Sequence, residues 1–521
     1  MQRKYFLSYF FLLLFIGSAI LKGDAQTALE KTSPNPEEIS KIALAIAQTP
    51  ENLALHEQYL KATQFSKWGV KEDPAFIKQY EDWMVKFPKS ATIPYALGHA
   101  FASKESPKAK PYLLKAIAID PKFDKAYFDL WIDGERWGDS KVSNAYLAKA
   151  KEAAPANADY AFYYANGLKE TDLNAYIRMS LEVSANFPNT ERGSQSLYWL
   201  ANRSNDPKTK AIYYEQQKKD FPADKFNWTS SGMSDYFNLL LEQSPEKAVE
   251  LSDYMISLKG KGVKTWEKNR KTAVNVGEAQ SLLAKGKGLE ASAILDSVAV
   301  PRYSSAKEYI LLLKSKALDA AGKTANAYTN LLVSFAKEPT ANLNKQLLNY
   351  AKQLGKKEMD LQKDTWYIRD TTSRQAPVFD LETYLTKGHS SLNDYKGKVV
   401  LLTYWFPGCG PCRGEFPHFE NVVKKFKGKE FVYLGINISA EQDDYVVPFM
   451  KSSGNSFIPL KDNEKWVKGP LDNKNAAPVN FLIDQEGKII YSNFRIDGHN
   501  EATLELMINS VLNRKRQLHF L

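Results

Sequence analysis

The stretch Trp405 to Pro417, WFPGCGPCRGEFP, holds Cys409 and Cys412, the only two cysteines among 521 residues. Two thiols at this spacing could form half a metal site, a short structural disulfide, or a redox-active dithiol. Structural zinc takes four Cys or His ligands, and His56, His99, His389, His418, His499 and His519 are scattered without ligand spacing. His418 reads as a surface helix residue, and no metal is expected. A bridge closing so short a loop restrains little chain, so its entropic gain is small. The redox dithiol is the reading that survives. It needs no cofactor, because the sulfur atoms themselves carry the electrons.

Such a pair must be positioned by a scaffold. Lys398 to Tyr404 is a continuous apolar run ending at the cysteines, the pattern of a strand buried on both faces. A helix is expected from about Pro411 to Phe426. Then follow a strand (Phe431 to Ile438), a helix (Tyr445 to Ser452), a strand (Asn480 to Asp484) and a turn at Glu486-Gly487. A strand (Lys488 to Ser492) and a helix from Glu501 close the chain. This alternation predicts an α/β domain.

These residues carry a resemblance. Ala376-Pro377-Val378-Phe379, Leu392 to Leu401, the CGPC site, Pro417 and Ala477-Pro478-Val479 stand in the running order of exported TlpA-like thiol-disulfide oxidoreductases. The resemblance covers about residues 376–515 and implies a thioredoxin fold. It implies that Cys409 is the nucleophile, at an exposed helix start, and that Cys412 is the more buried resolving thiol. Gly410 and Pro411 would shape the turn, Pro417 would kink the first helix, and Ala477 and cis Pro478 would face an extended substrate. Two departures matter. Gly408 replaces a usual Trp, which is expected to leave the site more open. Thr403 stands where cytoplasmic thioredoxins carry a buried Asp; Glu415 is either its substitute or an exposed helix residue.

The first 360 residues differ in texture. Pro88, Pro121, Pro155, Pro188 and Pro222 recur at intervals of 33, 34, 33 and 34 residues. Each follows an amphipathic stretch that a proline cannot continue as helix. The period resembles the tetratricopeptide repeat of about 34 residues. Ala109, Ala116, Leu147, Ala150, Ala327 and Leu331 match its small and apolar positions, whereas Gln217 departs from it. The expected fold class is therefore multidomain: an all-α tetratricopeptide-like solenoid over 26–362 with a degenerate middle, a linker over 363–375, and a thioredoxin-like domain over 376–521. Trp131, Trp137, Tyr163, Tyr164 and Trp199 read as inter-helix packing. Solenoids offer concave surfaces, so protein docking is expected there; the alternative is a plain spacer.

Arg3 and Lys4 precede an uncharged run from Tyr5 to Leu21, followed by Gly23-Asp24-Ala25. That order predicts a secretory signal peptide (1–25) cleaved after Ala25, or an uncleaved inner-membrane anchor. Export to the periplasm follows either way. The net charge of +10 is spread thinly rather than gathered on one face, which argues against nucleic acid. The expected activity is reduction of disulfide-bearing protein substrates, with a membrane electron donor. A disulfide oxidase or isomerase, a thiol peroxidase, and an idle docking module beside a working scaffold are the alternatives.

Overall fold

The computed structural model describes residues 35–67, 72–260, 262–298, 305–463 and 470–514. The expected export segment lies outside them. Among the described residues, every regular element from Pro36 to Thr372 is a helix, and none is long and apolar enough to cross a membrane.

The proline period marks helix ends. Helices stop at Lys86, Ile119, Ala153, Asn186 and Asp220, just short of Pro88, Pro121, Pro155, Pro188 and Pro222. The chain then turns and starts the next helix behind a polar cap where one is available. Asn157 accepts from the Asp159 and Tyr160 amides, and Thr190 from that of Gly193. Small residues let paired helices close: a Cβ on Gly98 would lie 2.9 Å from Leu113. The Gln217 departure is accommodated in the same way. Its amide is fully buried and donates to the Ser194 carbonyl at 3.0 Å, in space left by Gly232. In the degenerate middle, a 22-residue helix, Val263–Ala284, breaks the hairpin period. One apolar cluster nevertheless runs from Tyr198 to Ala317, so this stretch continues the solenoid.

The expected linker over 363–375 is mostly a helix. Glu358–Thr372 runs through it because Arg369 is anchored from both sides. Its Nε donates to the Ala336 carbonyl at 3.2 Å, and its Nη1 to Ser510 Oγ at 3.1 Å. The guanidinium also lies over the rings of Trp366 and Tyr491. The two domains are joined by a packed helix.

The α/β domain contains β1 (Arg374–Gln375), β2 (Asp380–Glu382), β3 (His389–Ser391), β4 (Val399–Trp405), β5 (Phe431–Asn437), β6 (Ile458–Lys461), β7 (Val479–Ile483) and β8 (Lys488–Phe494). Six of them form one mixed sheet in the order β1-β8-β7-β4-β5-β6, while β2 and β3 form a separate hairpin. The central strand β4 is parallel to β5 and antiparallel to β7. All its residues are buried, and they alternate between two cores. Val399, Leu401 and Trp405 face helices Gly410–Val423, Asp443–Ser453 and Glu501–Leu512. Val400, Leu402 and Tyr404 face Phe379, Leu392 and Leu471. Covered on both faces, β4 must read as an unbroken apolar run. Its C-terminal end points at the cysteines.

Candidate active site

Cys409 is the N-cap of helix Gly410–Val423 and is joined to Cys412 by a disulfide. The Cys412 amide donates to Cys409 Sγ at 3.2 Å. An N-cap sulfur receives both a free N–H and the positive end of the helix dipole, and both favour a thiolate over a thiol. Gly410 is the first helical residue and Pro411 the second, one place later than expected but still in the turn whose N–H groups have no helical partner. Pro417 lies inside the same helix. The Ala477–Pro478 bond is cis.

Exposure does not separate the two sulfurs as expected. Cys409 is 2% exposed and Cys412 fully buried, and Ala477 and Pro478 are buried as well. Nor does Gly408 open the site. Its N–H donates to Gln442 Oε1 at 2.6 Å, and a Cβ there would lie 2.9 Å from the Gln442 amide. The small residue is needed because a neighbouring side chain already fills the space.

Glu415 is buried, which removes the reading of an exposed helix residue. Its Oε2 accepts from Asn480 Nδ2 at 3.0 Å, and its Oε1 from the Ile496 amide at 3.4 Å. Arg495 Nε lies 2.6 Å from Oε1. Loss of water pushes the Glu415 carboxyl above the ordinary glutamate range, and these donors partly offset that rise. Asn480 stands opposite Thr403 in the β4–β7 ladder. The helix thus sets a buried acid against this strand pair.

Two residues of the site gave no sequence signal. Arg495 follows β8 and holds two parts together, donating Nη1 to the Pro478 carbonyl at 2.9 Å while pairing with Glu415. Gln442 precedes helix Asp443–Ser453 and braces the loop before Cys409. Both are single polar residues, Arg495 in irregular chain and Gln442 at the end of the short 3-10 turn Ala440–Gln442, where no period marks them. His418 is half-buried and pairs with Glu501 at 2.7 Å.

The AhpC/TSA family model matches residues 372–492, which takes in the whole of this site up to Ser492. Over 116 residues the chain is 38% identical to the thiol-disulfide oxidoreductase ResA of Bacillus subtilis, covering 22% of this chain and 63% of that protein. It is 34% identical, also over 116 residues, to the thioredoxin-like protein YneN of Bacillus subtilis, covering 22% and 67%. Through its C-terminal domain the chain belongs to the AhpC/TSA family. That domain is homologous to the ResA-type thiol-disulfide oxidoreductases, and the chain spans about two thirds of the length of the two relatives. The crystal structure of the thioredoxin domain of a thiol-disulfide oxidoreductase from Bacteroides vulgatus matches at 27% identity, with a TM-score of 0.24. The match covers 27% of this chain and 96% of that one.

Proposed function

We propose that the chain is an exported thiol-disulfide oxidoreductase that reduces protein disulfides through Cys409 and Cys412. The observation carrying this reading is the disulfide at the helix start, where the sulfur that must leave as thiolate already accepts an N–H. In the reduced protein, the Cys409 thiolate attacks one sulfur of a client disulfide. The client S–S bond breaks, its other sulfur departs with the electron pair and takes up a proton, and a mixed disulfide forms. Cys412 gives up its proton and attacks Cys409 Sγ, and the second client thiolate leaves. One client disulfide becomes two thiols as the enzyme dithiol becomes a disulfide.

Glu415, one helical turn beyond Cys412, is the acceptor for the Cys412 proton. Its raised affinity for protons suits a group that takes one up and returns it. Ala477 and Pro478 offer backbone to an extended client, as in strand addition. Gly410 and Pro411 shape the turn, and Pro417 bends the helix behind it. Resetting the disulfide requires a two-electron thiol donor, which for an exported enzyme lies in or across the membrane. The homology to thiol-disulfide oxidoreductases and the absence of other cysteines support exchange over peroxidase chemistry.

Trapping tests this reading. Cys412→Ser should accumulate mixed disulfides with client proteins through Cys409, and Cys409→Ser should accumulate none. Equal trapping by both variants, or by neither, would remove the assignment.

A further inference from the structure

Three segments near the disulfide are held by the solenoid. Gln442, which braces Gly408, is hydrogen-bonded to Glu105. Arg413, the residue after Cys412, donates to the Pro407 carbonyl at 3.3 Å and pairs with Glu135 at 3.3 Å. Beyond β8, His499 meets the Asn202 carbonyl at 3.1 Å.

Behind these contacts lies a built interface. Tyr445 donates to Asp133 Oδ1 at 2.6 Å, and Trp137 packs edge-on against the Tyr445 ring. The sequence suggested inter-helix packing for Trp137; it meets Lys110 of the neighbouring helix and bridges the domains as well. Gly138, at φ +73°, lets Phe449 come so close that a Cβ would lie 3.0 Å from the Phe449 carbonyl oxygen. Arg136 reaches Glu105 at 3.4 Å. A cleft lined by Lys110, Trp137, Tyr146, Pro448 and Ser452 marks the edge of the contact.

Two features set this interface apart from a permanent one. Beside the Trp137–Tyr445 and Gly138–Phe449 packing, its contacts are charged and polar pairs, each of which water would serve when the surfaces part. Relative motion of domains is the rule unless their interface is large and hydrophobic. The interface also flanks a site in which Cys409 is 2% and Ala477 3% exposed, while Gly410 and Pro411 between the cysteines are open to solvent. A client disulfide must reach Cys409 in line with its own S–S bond, and a folded protein surface needs a wide approach to do so.

We infer that the solenoid is a separable side cap along one flank of the redox face, with Glu105 and Glu135 as specificity-determining residues. While the cap is closed, only small or fully extended disulfides reach Cys409. Bulky, folded clients are reduced once the Glu105–Gln442 and Glu135–Arg413 contacts part. This rests on Cys409 and Cys412 as the exchange site, but its test does not require turnover.

The experiment uses the full chain, reduced, and compares alkylation of Cys409 by iodoacetamide and by a maleimide carrying a large polyethylene glycol. Glu105→Gln combined with Glu135→Gln keeps side-chain shape and removes two charges. It should raise the ratio of bulky-reagent to iodoacetamide labelling by about tenfold or more, as expected when access runs through a local opening. Any change in the Cys409 thiolate from freeing Arg413 affects both reagents and cancels in that ratio. Tyr445→Phe is a second, independent loosening with the same expected direction. Raising salt to about 1 M, which shortens screening to about 3 Å, should favour the bulky reagent in the unaltered protein. An unchanged ratio in both variants and in salt would overturn the cap. In turnover, the double variant should gain on insulin and not on oxidised glutathione. Loss of turnover on both substrates with the labelling ratio still shifted would sink the oxidoreductase reading and leave the cap intact.

Discussion

The Glu415 carboxylate lies 2.6 Å from Arg495 Nε, and the same Arg495 holds the Pro478 carbonyl through Nη1 at 2.9 Å. The buried acid one helical turn after Cys412 and the loop bearing Pro478 are therefore tied by one side chain. Burial raises the Glu415 carboxyl above its unfolded value. The unfolded chain then releases this proton first as pH rises. Stability associated with the protonated acid is present below the unfolded value and is lost as pH climbs through the folded one. Replacing Glu415 with Gln should abolish that dependence. The stability of the variant relative to wild type should increase as pH rises above the ordinary glutamate value of about 4.3, measured by urea unfolding at several pH values. The fixed cost of the swap cancels in that slope; a flat difference would mean that Glu415 titrates normally.

The same variant bears on turnover. If Glu415 takes the Cys412 proton, Glu415→Gln should slow release of the client from the mixed disulfide on the order of 10²-fold, the low end of general acid–base contributions. Formation of the mixed disulfide by Cys409 should change little. Rapid-quench measurement of both steps with a disulfide peptide separates them. Equal slowing of both would make Glu415 a packing residue.

What the sequence made legible follows from periodicity. The proline spacing located helix ends because a proline acts on its own turn, and the apolar run of β4 was plain because both its faces are covered. β6 escaped notice, being four residues long and carrying Pro459 and Lys461. The contacts that close the site were also hidden. Glu105–Gln442, Glu135–Arg413 and Asp133–Tyr445 join residues roughly 280 to 340 apart in the chain, and tertiary partners at that separation leave no local pattern. Gly408 shows the hazard of reading a small residue as empty space, since Gln442 occupies it.

Cys409 should be the thiol that reacts first. It alone sits at the N-cap, with an N–H directed at its sulfur, while Cys412 lies within the helix. Reduced protein treated with limiting iodoacetamide and mapped by peptide mass should carry most of the label on Cys409 from about pH 6 upward, given that helix-start thiols titrate well below the usual 8.5. Preferential labelling of Cys412 would reverse the roles of the pair.

Arg369 should couple the unfolding of the two domains. Its guanidinium is buried between the Ala336 carbonyl, Ser510, Trp366 and Tyr491, and burial lowers its proton affinity. Arg369→Ala removes packing and hydrogen bonds on both sides at once. A destabilisation of about 2–4 kcal/mol is expected, in the upper range for single changes at a buried network. The calorimetric transition should also split into two. A single transition at lower temperature would show that the other contacts suffice to couple the domains.

The direction of exchange depends on the potential of the Cys409–Cys412 pair. The Gly-Pro spacer is that of thioredoxin, whose potential of about −270 mV lies roughly 150 mV below that of the strong oxidant DsbA. That gap is about 7 kcal/mol for two electrons, large enough to decide which partner is reduced. A thiolate stabilised by nearby positive charge would raise the potential. The cation nearest in sequence, Arg413, is paired with Glu135, and Arg495 with Glu415, so neither brings an uncompensated charge to the sulfurs. The potential should therefore fall nearer the thioredoxin value than the DsbA value. Equilibration of the full chain in thiol–disulfide buffers, read by alkylation of Cys409 and Cys412, measures it. A value close to −120 mV, with efficient oxidation of a reduced client, would make the protein an oxidase.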